Sequence, residues 1–259
     1  MTQEAEAVDA EPILRLRGVG RRYGGLHAVR DVDLDVAHGE RRAILGPNGA
    51  GKTTLFNVIS GDVPPSSGTV EFLGSDVSAL PPRARAKLGM GRTYQKSRSF
   101  LGLSVVDNVY LALLGVQRGH FRPVLLPKRD AELRERAAEL VREAGLPGRE
   151  NAIVGELSHG EQRQLEVAMA RASNPRLMML DEPASGLSRG ERVALTEMLL
   201  GLDPSITLIL IEHDMDVALR VADRVTMMHD GRVIVEGTPA EIRANETVHD
   251  LYLGRHGGE

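Results

Sequence analysis

Residues 46–54 read GPNGAGKTT, between the short apolar run Arg42–Leu45 and a helical pattern that runs from Lys52 to about Ser60. The stretch matches G-x-x-x-x-G-K-[S/T], and a strand before it with a helix after it is the context in which that pattern cradles phosphate. The residue types follow from the chemistry. Glycines let backbone N–H groups turn inward around β- and γ-phosphates, the Lys52 ammonium adds a cation there, and the Thr53 hydroxyl suits a Mg²⁺ ion. The plain alternative, a glycine-rich turn with an exposed lysine, explains neither the complete pattern nor its place in the chain. An α/β fold built around a phosphate-binding loop is the expectation.

Working outward, Leu177-Met-Met-Leu-Asp181-Glu182-Pro183 puts four apolar residues in a buried strand and two carboxylates at its C-terminal end. In open α/β sheets that end is where ligands bind. Asp181 suits the Mg²⁺ shell and Glu182 the polarising of an attacking water. His213 follows the apolar strand TLILIE (207–212) and therefore projects from the same edge, where it could donate to a γ-phosphate. His27, His38, His120, His229, His249 and His256 carry no such context and are read as structural or solvated. Gln95 ends GRTYQ (91–95) and would link the core to the helical segment that follows.

Residues 157–166, LSHGEQRQLE, form a helix start: Ser158 is an N-cap, and Glu161 three residues on completes a capping box. The same place offers a hydroxyl, an imidazole and a bare glycine backbone at a helix N-terminus, which attracts anions. Local pattern alone leaves open which anion it holds.

Ile13–Val19 and Val29–Val36 alternate as antiparallel strands with one wet face, and Thr69–Phe72 is a further strand. From about 105 to 172 the pattern is helical. Alternating strands and helices then return: strands Leu177–Leu180 and Thr207–Ile211, helices Arg189–Leu202 and Asp214–Ala222. The hairpin RVTMMHDGRVIVEG (224–237) follows, with Asp230-Gly231 as a type I′ turn signal. The organisation expected is an acidic solvated tail (1–11), one domain (12–254) and a short tail (255–259). The core is 12–95 and 175–254, with a helical lobe over about 96–174.

Bulk properties narrow the function classes. The 259 residues carry 36 acidic and 32 basic side chains, a net charge of −4, which argues against nucleic acid as a partner. With no cysteine, disulfides, thiolate metal sites and a cysteine nucleophile are excluded. The longest strongly apolar run, Ile206–Ile211, is far short of the ~18 residues that a membrane span needs. Any attachment to a membrane is expected through another protein.

Taken in order, GPNGAGKTT, RTYQ, LSHGEQ, LMMLDEP and LIEHD resemble the nucleotide-binding subunit of an ATP-binding-cassette (ABC) transporter. The resemblance covers about residues 12–254. It implies a P-loop NTPase, RecA-like core with an antiparallel β subdomain and a helical insert lobe, and hydrolysis of ATP with Mg²⁺. Carried onto this chain, it implies that Tyr23 stacks on adenine and that Asn48, Gly49, Ala50, Gly51, Lys52, Thr53 and Thr54 bind the phosphates. Thr53, Gln95 and Asp181 would serve the metal. Glu182 would orient or deprotonate water, Gln95 would contact it, and His213 would sense the γ-phosphate. Ser158 and Gly160 would face ATP held by a second ATPase subunit in a head-to-tail dimer, more often a related chain than an identical one.

The resemblance also implies integral membrane permease subunits as partners, and a peripheral position on the cytoplasmic side of the inner membrane. Lys96–Leu101, with apolar Phe100 and Leu101, would receive a permease helix. RRYGGLHAV, GRTYQKSRSF, LSVVDNVYLA, IEHDMDVAL and DLYLG are similar to ATPases of branched-chain amino acid importers, with urea-type importers as near relatives. A non-transport cassette ATPase would bring a long coiled coil or a second cassette, and a small-molecule kinase would leave LSHGEQ and His213 unexplained. Two departures stand out. His159 and Glu161 replace the Gly and Gln of Leu-Ser-Gly-Gly-Gln, and Ser188 stands where many relatives have Asp.

Overall fold

In a computed structural model that describes residues 11–93, 99–116 and 127–248, the chain opens with β1 (Leu14–Tyr23), β2 (Leu26–Val36), β3 (Arg41–Leu45) and α1 (Lys52–Ser60). Next come β4 (Ser67–Phe72), β5 (Ser75–Asp76), α2 (Pro82–Lys87) and β6 (Met90–Arg92). The helical stretch is α3 (Val105–Val116), α4 (Pro127–Glu143) and α5 (His159–Arg171). Strands and helices then alternate as β7 (Leu177–Asp181), α6 (Arg189–Leu200), β8 (Thr207–Ile211) and α7 (Met215–Val221). The hairpin β9 (Arg224–His229) and β10 (Arg232–Gly237) leads to α8 (Pro239–Ala244).

Two sheets result. An antiparallel sheet has the order β2-β1-β4-β5; the other has the order β10-β9-β3-β8-β7-β6, parallel from β9 to β6, with β10 antiparallel at its edge. Every residue of β7 and β8 is buried, as expected where both faces of a parallel sheet are covered. The period-two alternation of each strand sorts its side chains into two cores. Ala43, Leu45, Met178, Leu180, Leu208 and Leu210 join one with the helices α3–α7. Ile44, Leu177, Met179, Ile209 and Ile211 join the other with α1 and the antiparallel sheet.

Ile44 is fully buried in the middle of this second core. Ile44→Val removes one methyl group there and is expected to cost about 0.5–1.5 kcal/mol. A denaturation midpoint that does not move, at unchanged slope, would contradict that packing.

The antiparallel pairing extends further than the alternation of the sequence indicated. β1 runs to Tyr23 and β2 begins at Leu26, past irregularities between Leu16 and Arg22. Gly18 and Asp31 take positive φ of 56° and 51° in this region. Such bulges break the in–out alternation while backbone pairing continues, so the apolar pattern lapses before the strand does. The short elements β6, α2 and α8 were not anticipated, being too brief to show a period. The turn in the β9–β10 hairpin has positive φ at both Asp230 and Gly231, 48° and 78°, as a type I′ turn requires.

Candidate active site

The phosphate-loop sequence connects β3 to α1, at the carboxyl edge of the parallel sheet. Gly51 caps α1 with φ 98°, and no side chain caps that helix end. A Cβ at Gly51 would overlap the Ala28 carbonyl of β2, so only glycine permits this approach. The same approach brings the β1–β2 hairpin, with exposed Tyr23 at its turn, toward the loop; Arg21 stacks 4.7 Å above the Tyr23 ring. Asn48, Gly49 and Thr53 are exposed, Gly51 and Thr54 half-buried, and Ala50 buried.

Lys52 is buried, and its Nζ donates to the carbonyls of Gly46 (2.6 Å) and Pro47 (3.1 Å). Burial lowers its pKa; the charges of Glu182 and Asp181 oppose that shift. The cation and both carboxylates thus act on one another.

Asp181 ends β7 and is buried; its Oδ2 accepts from Arg92 at 3.2 Å. Burial raises its pKa, and Arg92 and Lys52 pull against that. Arg92 lies on β6, beside β7, and also donates to Ser60 and Asp62. Thr53 and Asp181 are hard oxygen donors. They suit Mg²⁺, which takes one or two protein oxygens and completes its shell with phosphate and water. Among the described residues, no cluster of three or more His, Cys, Asp or Glu forms a closed protein cage for a metal.

Glu182 has φ 48°, a left-handed backbone that costs a non-glycine residue about 1–2 kcal/mol. Its N–H donates to Ile211 O (2.9 Å), which ties the turn to the end of β8. The Glu182 carboxylate lies 4.0 Å from His213 Nδ1. The two residues taken from the ends of separate strands therefore meet.

Glu212 was not singled out from sequence. It is fully buried, accepts from Ala184 N (2.7 Å) and His213 N (3.2 Å), and burial raises its pKa. It holds the turn after Glu182 against the residue next to it, His213. A carboxylate interrupting the apolar run TLILI was the available signal. Arg92 and Glu191 were also missed, since each is an ordinary charged residue until its distant partners are known.

Ser158 is the N-cap of α5 and forms the expected capping box with Glu161. Glu161 also pairs with Arg149 at 2.8 Å. The His159 ring lies against Gly186, in van der Waals range of where a Cβ would stand. Ser158 Oγ and Gly160 N donate to Glu191 at the start of α6, not to the phosphate loop. The structure thus gathers Lys52, Asp181, Glu182 and His213, and leaves Ser158 and Gly160 at a separate helix end. Gln95 and residues 96–98 lie outside the described residues.

Residues 29–185 match the family described as ABC transporter, and residues 232–257 match the branched-chain amino acid ATP-binding cassette transporter family. The high-affinity branched-chain amino acid transport ATP-binding protein LivG of Salmonella typhimurium (strain LT2) is 35% identical over 252 residues, covering 95% of this chain and 99% of the relative. The lipopolysaccharide export system ATP-binding protein LptB of Escherichia coli (strain K12) is also 35% identical, over 93% of this chain and 97% of the relative. Among solved structures, an ATP-binding cassette of an ABC transporter in its ADP conformation superposes with a TM-score of 0.81 at 27% identity, over 93% of this chain and 98% of that one. A dimeric cassette in a post-hydrolysis state, bound to ADP and Pi, gives 0.74 at 27% identity, over 87% and 98%.

Proposed function

The chain belongs to the ABC transporter ATPases, the subunits that hydrolyse ATP to drive transport, and from that premise we propose that it powers uptake of branched-chain amino acids through separate permease subunits. The observation that carries the substrate assignment is the match of residues 232–257 to the branched-chain amino acid cassette family. Residues 12–254 act as one cassette, on the cytoplasmic side of the inner membrane.

ATP lies along residues 48–54, with its adenine on Tyr23 and its γ-phosphate between Lys52 and His213. The Lys52 ammonium exchanges the Gly46 and Pro47 carbonyls for phosphate oxygens. Thr53, Asp181 and Gln95 would hold Mg²⁺, which supplies charge neutralisation at the β- and γ-phosphates. Glu182 takes a proton from, or orients, the attacking water, and His213 donates to the γ-phosphate. A second ATPase subunit, a related chain, closes head to tail so that its Ser158-equivalent helix completes the site; the dimeric solved cassette supports this arrangement.

Among the described residues no helix is long and apolar enough to cross a membrane, so force must pass to the permease by contact. Phe100 and Leu101 are 57% and 55% exposed. The buried Asn108 accepts from Phe100 N at 2.7 Å and donates to Phe100 O at 3.1 Å, while Leu101 O accepts from Gly155 N. A fixed backbone therefore presents exposed apolar side chains, as a docking surface requires. A cleft of about 330 Å³ lies nearby between α2, β6 and α5, lined by Ser60, Arg85, Met90, Arg92 and Met169. We take the edge of this cleft as the place where a permease helix docks.

Export in the manner of LptB is the second reading, supported by an equal identity. Deletion of the gene is expected to abolish high-affinity uptake of leucine, isoleucine and valine. The wild-type chain restores it and Lys52→Ala does not. Unimpaired uptake in the deletion strain would remove the branched-chain amino acids as the substrate.

A further inference from the structure

The helix end at Ser158 does hold an anion, and the chain supplies it. Glu191, the third residue of α6, places Oε1 3.0 Å from Ser158 Oγ and 2.9 Å from Gly160 N, both donating to it. Its Oε2 accepts from Ser188 N at 3.0 Å and Ser188 Oγ at 2.8 Å. One carboxylate thus completes the capping box of α6 and fills the anion position of α5. A Cβ at Gly160 would stand 2.7 Å from Glu191 Cγ, so a bare glycine is what admits the side chain.

Ser158 has one hydroxyl hydrogen and Gly160 one N–H, and both are directed at Glu191. A phosphate oxygen that used these donors would have to take them from the carboxylate. Resting on the trans role given above to Ser158 and Gly160, we propose that Glu191 is an internal competitor for the partner-held phosphate, a positioning residue that keeps these donors aligned and yields them as the ATP dimer closes. Ser188 suits this task, because its hydroxyl donates to the displaced carboxylate, where an aspartate would repel it.

Donation from Ser188, Gly160 and Ser158 holds the Glu191 pKa at about 2. A lowered carboxylate pKa means that the bonds are present above the ordinary range near 4.3 and are lost only as pH falls toward 2. The competitor is therefore charged at neutral pH.

The test uses the full chain in a Glu182→Gln background, by itself and mixed with the related ATPase subunit, titrated with ATP and followed by light scattering for the dimer. Adding Glu191→Gln removes the charge and keeps a residue that completes a capping box. The ATP concentration for half-maximal dimer is expected to fall roughly twofold to fivefold, the strength of an anion at an exposed helix N-terminus. In the parent background, KM for ATP falls by the same factor without a rise in kcat, and binding of a fluorescent ATP analogue to the dilute single chain is unchanged. Glu191→Asp, which keeps the charge but shortens the reach, is expected to move the threshold in the same direction, and guards against poor folding of the first variant. An unchanged or raised threshold in both overturns the proposal. Failure of the Glu182→Gln chain to dimerise with ATP, both by itself and mixed with the related ATPase subunit, would instead remove the trans reading, and this inference with it.

Discussion

Glu182→Gln is expected to bind ATP as the parent does, to hydrolyse it roughly 10²–10⁴-fold more slowly, the range that a positioned general base contributes, and to accumulate as an ATP-bound dimer. The amide preserves the shape of the side chain but cannot accept a proton from water. Its position is set by backbone, through the bond from Glu182 N to Ile211 O and a φ of 48° that few residues adopt. The phosphate loop is built on β3 and α1 and keeps its donors. Hydrolysis is therefore lost without loss of binding, and a closed complex that forms can no longer reopen through turnover. Phosphate release and light scattering read the two halves of this result. Normal turnover would take Glu182 out of the reaction.

The second large effect is expected at the opposite helix end. Ser158→Arg should leave ATP binding to the single chain intact while dimer-dependent hydrolysis falls to the level of the dilute chain. Ser158 is exposed and bonded to Glu161 and Glu191, with no part in the phosphate loop. Losing its cap costs about 0.5–2 kcal/mol, within reach of a folded chain. A long cation in its place blocks close approach of a partner's nucleotide. The measurement is the dependence of specific activity on protein concentration, which flattens in the variant. Activity that still rises with concentration would show that the helix end does not serve a second site.

Much of the site was legible because its parts are local. GPNGAGKTT carries its turn, its cation and its helix start within nine residues, and LMMLDEP and LIEHD each carry a buried strand with polar groups at its end. The continuous apolar runs Leu177–Leu180 and Thr207–Ile211 likewise foretold two covered faces in the parallel sheet. The bulged end of β1 and the short β6, α2 and α8 were not legible, because a period cannot be read where pairing slips or where an element is shorter than two of its periods. The capping box at Ser158 was anticipated from a spacing of three residues; the anion it holds was not.

By itself, then, the sequence determined the strand–GPNGAGKTT–helix unit, the carboxylates at a sheet edge, the central run of helices and the family to which these motifs belong. Each depends on residues near one another in the chain, where backbone geometry sets the distances. Tertiary structure alone decided that Glu191 reaches Gly160 31 positions away, that Glu212 clasps Ala184 28 positions away, and that Arg92 meets Asp181 across 89. A carboxylate has no directional preference along the chain. Its partners are set by which segments the two cores press together, and so the occupant of the Ser158 helix end became visible only in the folded molecule.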